Sequence, residues 1–391
     1  MNFLEKLLDG AEVEWVPLGD ITSYEQPTRF RVESTDYNDA YKTPVLTAGQ
    51  TFILGYTNEV EGIYEASVKP VIIFDDFTTA NKWVDFDFKV KSSAMKIISS
   101  ADESLVLTKY IYYWLNVLPS GLVEGEHKRQ WINCFAKKTI PIPCPDDPAR
   151  SLKIQTKIVQ ILDNFTELTA ELTAELTARE KQYEYYRDHL INSASEAIGS
   201  YELKKLGDIA ALSGKRISFE ELDESTFVGV DNLLQNKKGK VNSNYLPTTG
   251  NLTKYKSGDI LLGNIRPYLK KIWHADREGG ASGDVVVIQL TDKSVNSRYI
   301  YHALSSDKFF DYNMQYAKGA KMPRGDRRKI LEFEIPVPPL GEQERIVSIL
   351  DKFDTLTTSI TEGLPREIEL RQKQYEYYRN ILLSFNKLEE A

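Results

Sequence analysis

Ile158-Val159-Gln160-Ile161-Leu162-Asp163-Asn164-Phe165 returns 188 residues later as Ile346-Val347-Ser348-Ile349-Leu350-Asp351-Lys352-Phe353. On either side of this pair the same spacing recurs. Leu18-Gly19-Asp20-Ile21 matches Leu206-Gly207-Asp208-Ile209, again at 188; Ile140-Pro141-Ile142-Pro143 matches Ile335-Pro336-Val337-Pro338 at 195; and Lys181-Gln182-Tyr183-Glu184-Tyr185-Tyr186-Arg187 matches Lys373-Gln374-Tyr375-Glu376-Tyr377-Tyr378-Arg379 at 192. Four blocks in one order at nearly one offset mark the duplication of a whole module, not a solenoid of short repeats. The stretches between them, 22–130 and 210–325, show no obvious similarity to each other. Two like frames hold two unlike inserts, as expected of a chain that reads two different things in one geometry.

The frames read as helices. From Ser151 to about Ala197 there is no proline or glycine, and Ile154, Ile158, Ile161, Leu162, Phe165, Leu168 and Leu172 step by three and four, the helix period. A helix of about 45 residues spans roughly 68 Å. The second frame runs from Gly341 to about Phe385, with Ile346, Ile349, Leu350, Phe353, Leu356 and Ile360 on one face. Gly363 and Pro365 are expected to kink or interrupt it. A lone helix of this length cannot bury its apolar stripe, so the two are expected to pack as an antiparallel, coiled-coil-like pair. In the inserts, Val71-Ile72-Ile73-Phe74 and Val285-Val286-Val287-Ile288 read as buried strands. Tyr110–Leu115 and Tyr299–Leu304 read as matching short helices. The expected fold is α+β: two globular α/β-type domains (1–148 and 199–339) separated by two long antiparallel helices (149–198 and 340–391), with an internal pseudo-twofold duplication.

With 391 residues, 41% hydrophobic and 27% charged, the chain falls among ordinary globular proteins of two or three domains. The N-terminal MNFLEKLLDG carries acids and has no sustained apolar run, unlike a secretory signal, and no stretch approaches a membrane span of about 20 apolar residues. Two cysteines, Cys134 and Cys144, cannot build a disulfide framework, which suggests a reducing cytoplasm. The net charge of −8 argues mildly against a nucleic-acid partner, but DNA responds to local field rather than to the total.

No motif for catalysis stands out: no Walker-type phosphate loop, G-x-G-x-x-G after a strand, H-E-x-x-H or G-x-S-x-G, and no N-P-P-aromatic motif for amino-group methylation. His127, His189, His274 and His302 are scattered, without zinc-ligand spacing. Asp75-Asp76 could hold a metal, although such pairs more often cap a strand or bind polar loop atoms. The basic segments say more. Lys318, Lys321, Arg324, Arg327, Arg328 and Lys329 crowd one Gly-containing loop with a single acid, and Asn264, Arg266, Tyr268, Lys270 and Lys271 form an acid-free stretch. In the first insert, His127-Lys128-Arg129-Gln130 precedes the Ile-Pro-Ile-Pro block, and an offset of 195 sets Arg129 opposite Arg324. Thr78, Thr79, Asn81, Lys82 and Trp83 add donors, acceptors and an aromatic face. Arginine and lysine neutralise phosphates or pair with guanine edges, and Asn and Gln can pair with adenine. Any one basic run suits a solvated loop; their occurrence at corresponding places in both inserts favours DNA.

Gly258-Asp259-Ile260-Leu261, Asn264-Ile265-Arg266-Pro267-Tyr268-Leu269, Gly319-Ala320-Lys321-Met322-Pro323-Arg324, and Ile335-Pro336-Val337-Pro338 followed by Glu342-Gln343 together resemble the specificity subunits of type I restriction-modification enzymes. The Thr-Ala-Glu-Leu tetrads beginning at Thr169 point to the type IC subgroup. The resemblance implies that each insert is a target recognition domain reading half of a split site on double-stranded DNA. The helices would then be a spacer and a platform for two methyltransferase subunits. It also implies no cofactor on this chain: S-adenosylmethionine belongs to the methyltransferase, and ATP and Mg to motor-nuclease subunits that join to cut DNA. The residues alone also leave open a stand-alone bipartite DNA-binding regulator or a protein-binding scaffold.

Overall fold

The computed structural model describes residues 3–47, 51–119, 129–196, 203–359 and 362–385. They form two compact units, one reaching to Leu168 and resuming at Arg371, the other running from Thr169 to Leu370.

In the first unit, α1 (Phe3–Leu8), β1 (Val13–Pro17), α2 (Leu18–Ile21) and β2 (Thr22–Glu25) lead into β3 (Thr43–Leu46), β4 (Ile53–Thr57), β5 (Val71–Asp75), β6 (Asn81–Val84), β7 (Lys89–Val90) and β8 (Met95–Ser100). Then come α3 (Thr108–Leu115), α4 (Gln130–Asn133), β9 (Thr139–Pro143) and the start of α5 (Pro148–Glu196). An antiparallel sheet is ordered β2-β8-β5-β6, a second β4-β3-β7, and β1 pairs with β9. Strand alternation sends Ile72, Phe74 and Ile98 toward α3 and α5, while Val71, Ile73 and Ile97 pack toward the second sheet. Burial of both faces explains why β5 reads as an unbroken apolar run.

The second unit repeats the plan. It holds β10 (Leu203–Lys205), α6 (Leu206–Ile209), β11 (Ala210–Leu212), β12 (Arg216–Ser218), β13 (Phe227–Val228), β14 (Asn251–Tyr255), β15 (Ile260–Gly263), β16 (Ile272–His274), β17 (Gly279–Ala281) and β18 (Val285–Leu290). These are followed by α7 (Ser297–Leu304), α8 (Asp307–Gln315), α9 (Arg327–Glu332), β19 (Glu334–Pro336), α10 (Leu340–Thr358) and α11 (Leu364–Leu382), the last continuing into the first unit. One sheet is ordered β11-β18-β15-β16, another β12-β14-β17-β13, and β10 pairs with β19. The expected break between α10 and α11 is present, and Gly363 there has φ +82°, a left-handed turn that glycine takes without strain.

The repeated blocks turn out to be joints. Gly19 lies against the carbonyl of Ala136 and Gly207 against that of Leu331, so close that an added Cβ would sit 3.1 and 3.3 Å from the oxygens. The Tyr110 hydroxyl donates to the Pro141 carbonyl at 2.9 Å, and Tyr299 donates to Pro336 at 2.7 Å. Gln155 on α5 is fully buried; its Oε1 accepts from the Leu107 amide at 3.0 Å and its Nε2 donates to the Leu105 carbonyl at 3.0 Å. Gln343 on α10 does the same to the Asn296 amide (2.8 Å) and Ser294 carbonyl (3.2 Å). Each glutamine ties its long helix to the turn that starts the short helix, α3 or α7.

The long helices pair within each unit. In the first, Phe165 of α5 stacks on Tyr378 of α11 with ring centroids 5.1 Å apart. In the second, Tyr183 and Tyr186 of α5 stack on Phe353 of α10 at 6.3 and 5.5 Å. Behind Tyr183 its hydroxyl lies 2.8 Å from Nδ1 of His302, whose Nε2 is 2.8 Å from Asp351. Since the carboxylate can only accept, Nε2 donates to it and Nδ1 accepts from the tyrosine. Burial holds the His302 pKa below the ordinary imidazole value despite the adjacent acid. The first unit has Tyr113 where the second has His302, donating directly to Asp163 at 2.6 Å.

Gln343→Leu keeps the volume but leaves the Asn296 amide and the Ser294 carbonyl without their partner. We predict a loss of about 2–3 kcal/mol in urea unfolding of the intact chain; a change below about 0.5 kcal/mol would remove the glutamine joint from the account.

Candidate nucleic-acid interface

In the first unit the candidate residues sit on and beside the β5–β6 hairpin. Asp75 builds its turn: Oδ1 accepts from the amides of Phe77 (2.9 Å) and Thr78 (3.3 Å), and Oδ2 from the Thr78 hydroxyl (2.6 Å). Asp76 accepts from the Trp131 amide at 2.9 Å, lies 3.5 Å from the buried Lys96 ammonium, and takes the Gln130 amide on its carbonyl at 2.8 Å. Both carboxylates thus serve the loop structure, and among the described residues no group of His, Cys, Asp and Glu is placed to hold a metal.

Asp76 brings Arg129 and Gln130 beside the hairpin, although more than 50 residues separate them in sequence. Thr78, Lys82 and Arg129 are exposed, whereas Thr79 and Gln130 are buried. Asn81 accepts from the Asn116 side chain at 3.1 Å. Trp83 packs beside Tyr112, with the Lys109 ammonium 5.1 Å from its ring, so its aromatic face is largely occupied from within. His127 and Lys128 lie outside the described residues.

In the second unit, two stretches distant in sequence become one crest. The Arg266 amide donates to the Pro323 carbonyl at 2.7 Å, and the Gly325 amide to the Asn264 carbonyl at 3.1 Å. Lys318 and Arg324 exchange backbone hydrogen bonds of 2.9 and 2.8 Å, closing a hairpin that turns through Gly319 at φ +105°. Arg266 and Lys270 themselves adopt left-handed backbone, φ 52° and 50°, a conformation costly for non-glycine residues and common at functional loops.

Arg266, Tyr268, Lys318, Lys321, Arg324, Arg327 and Arg328 are exposed on this crest. Among the described residues the Arg324 guanidinium has a half-exposed pair with Asp284 at 3.3 Å. Such a pair is worth little, so a phosphate or guanine edge can replace it cheaply. Three candidates turn inward. Lys270 is paired with Asp307 at 2.9 Å. Lys271 is buried and donates to the Val230 carbonyl at 2.7 Å, and burial pulls its pKa down. Asn264 is buried with Oδ1 unpartnered, beside the equally buried Asn313, whose two amide atoms are also unpartnered. These amides leave room for Gly325 alone: a Cβ there would collide with the Asn313 carbonyl oxygen and lie 2.9 Å from that of Asn264. Asn264 and Asn313 therefore shape the root of the hairpin from below.

Sequence reading also passed over a cleft beside the crest, walled by the loop from Gly229 to Tyr245. Its only signal was the polar run Asn242-Ser243-Asn244-Tyr245.

With this geometry in hand, comparison with known proteins is decisive. The family described as "Type I restriction modification DNA specificity domain" matches residues 11–179 and again 199–370. The chain belongs to that family. It is 50% identical to the Escherichia coli EcoR124I/EcoR124II specificity subunit, across 100% of this chain and 98% of the relative. It is 30% identical to the E. coli EcoprrI specificity subunit, across 93% and 92%. In structure it is similar to the S subunit of a type I restriction-modification system from M. genitalium, with a TM-score of 0.63 and 14% identity, covering 97% of this chain and 98% of that one. The match shows a shared fold. The two family matches fall on the two halves of the duplication, and the role is that of a specificity subunit, not an enzyme.

Gly325→Ala should push the hairpin off its root and weaken binding to one half of the DNA target by roughly tenfold or more. Combined with Asn313→Ala, which removes the colliding oxygen, it should recover part of that loss. Binding measured by fluorescence anisotropy decides, and wild-type affinity in the single variant would contradict the packing.

Proposed function

We propose that this chain reads a split, asymmetric site on double-stranded DNA, one unit to each half-site, and docks two methyltransferase subunits on its duplicated frame. The carrying observation is that identical joints hold unlike inserts. A frame kept constant through Gln155 and Gln343, or Tyr110 and Tyr299, suits partners that are the same on both sides. Inserts that differ, each with exposed cations and with Arg129 and Arg324 at matching places, suit two different stretches of one polyanion. The methyl donor S-adenosylmethionine would then sit on the methyltransferase, and ATP and Mg on motor-nuclease subunits joining the same assembly. The exposed crest of cations in the second unit favours DNA over a protein-binding scaffold, and the family favours a methyltransferase-linked role over a stand-alone regulator.

The tetrads Thr169-Ala170-Glu171-Leu172, Thr173-Ala174-Glu175-Leu176 and Thr177-Ala178 lie in α5. The threonine hydroxyls bond back one turn, Thr173 to the Thr169 carbonyl at 2.7 Å and Thr177 to that of Thr173 at 3.0 Å. One tetrad lengthens a helix by ~6 Å and turns it by ~400°, a net ~40°. A DNA base pair rises ~3.4 Å and twists by roughly 35°. Inserting one Thr-Ala-Glu-Leu after Leu176 should lengthen the preferred gap between half-sites by about one base pair, with both half-sites unchanged. Methylation assays on duplexes of graded gap length test this; an unmoved optimum would leave the tetrads as helix-forming filler and the spacer role unsupported.

A further inference from the structure

The cleft in the second unit, about 680 Å³, opens between the loop from Gly229 to Tyr245 and a crest that includes Arg266 and Met322. Its polar residues fall into two groups. One group is spent on the loop. Asn232 accepts from the Gly229 amide at 2.6 Å and donates to the carbonyls of Phe227 and Val241 at 3.0 and 3.3 Å. Lys271 reaches across to the Val230 carbonyl at 2.7 Å, and Lys240, in the same loop but not in the cleft's lining, donates to the Ser225 carbonyl at 2.6 Å. These bonds brace the loop against the rest of the unit.

The other group is exposed. The side chains of Gln235, Asn242 and Asn244 face solvent and take no part in the bonds that shape the loop. Beside them stand apolar side chains the core does not need: Tyr245 is 68% exposed and Met322 47%.

Free carboxamides, an arginine and apolar tips on one wall match the edges of bases. A carboxamide offers one donor and one acceptor, the pair that adenine N7 and N6 require. Arginine suits guanine, and apolar groups suit the thymine methyl. A groove for backbone phosphate would be dominated by free cations, whereas here Asp231 and Asp284 share the wall with Arg266 and with Lys271, whose ammonium is spent on the Val230 carbonyl. The cations stand on the crest alongside, where they can hold phosphates and set the register.

We propose that this cleft is where the second unit reads base edges, and that Gln235, Asn242 and Asn244 are specificity-determining residues. The proposal rests on the DNA-reading function above. It divides the labour within one unit: the crest holds the backbone and the cleft reads the sequence.

The test uses the full chain assembled with its methyltransferase partner, assayed on duplexes in which every base pair of both half-sites is substituted in turn. The double variant Asn242→Ala/Asn244→Ala should relax discrimination at one or two base pairs of a single half-site, on the order of tenfold or more. The other half-site and the salt dependence should stay as in the wild type. Asn244→Asp, which keeps the shape but removes the donor, should disturb the same half-site. A wild-type substitution profile in these variants would overturn the proposal, as would a uniform loss with a shallower salt slope, which marks phosphate contacts. Arg324→Ala in the same assay separates the two levels of the argument. Weakened binding there beside wild-type profiles in the amide variants sinks the cleft alone, whereas no effect of any variant sinks DNA reading by this unit.

Discussion

An α-helix of 49 residues cannot stand in water with an apolar stripe along it, and the rest of the structure depends on how that stripe is covered. The first part of α5 is covered by α11, where Phe165 meets Tyr378; the last part is covered by α10, where Tyr183 and Tyr186 meet Phe353. Each unit therefore takes its Ile-Leu-Asp-x-Phe block from one repeat and its Tyr-Glu-Tyr-Tyr-Arg block from the other. Neither repeat completes a helical core by itself; each unit draws on both.

That exchange leaves the inserts free to differ. What connects insert to frame is a short set of joints: a buried glutamine, a tyrosine bonded to a proline carbonyl, and a glycine pressed against a carbonyl. All three recur in both units with matching partners. The residues facing outward recur only loosely. The first unit has a hairpin and a few exposed donors, whereas the second has a cationic crest beside a cleft. A constant frame with variable faces is the form that the proposed function calls for.

Much of this was legible in the sequence, because it rests on local periodicity. The long helix, the break at Gly363, the strands at Val71 and Val285 and the paired short helices all appear where three-four stepping, glycine and β-branched runs place them. Polar residues were less legible. Lys270, Lys271 and Arg266 are near neighbours of similar composition, yet Lys270 pairs with Asp307, Lys271 is buried and donates to the Val230 carbonyl, and Arg266 is exposed. Their fates depend on contacts from residues tens of positions away, which no window on the sequence contains. Asn264 has the chemistry of a base reader and is buried under the hairpin, while Asn242 and Asn244, unremarkable in sequence, line an open wall.

The central claim, two independent readers on one shared frame, is tested most directly by exchanging one of them. Residues 210–325 replaced by the matching insert of a relative should, in a host carrying the methyltransferase, give methylation sites in which one half-site is new and the other is unchanged. Genome-wide mapping of methylated bases reads out both half-sites at once, whatever their sequences. A swap that altered both half-sites would contradict the account.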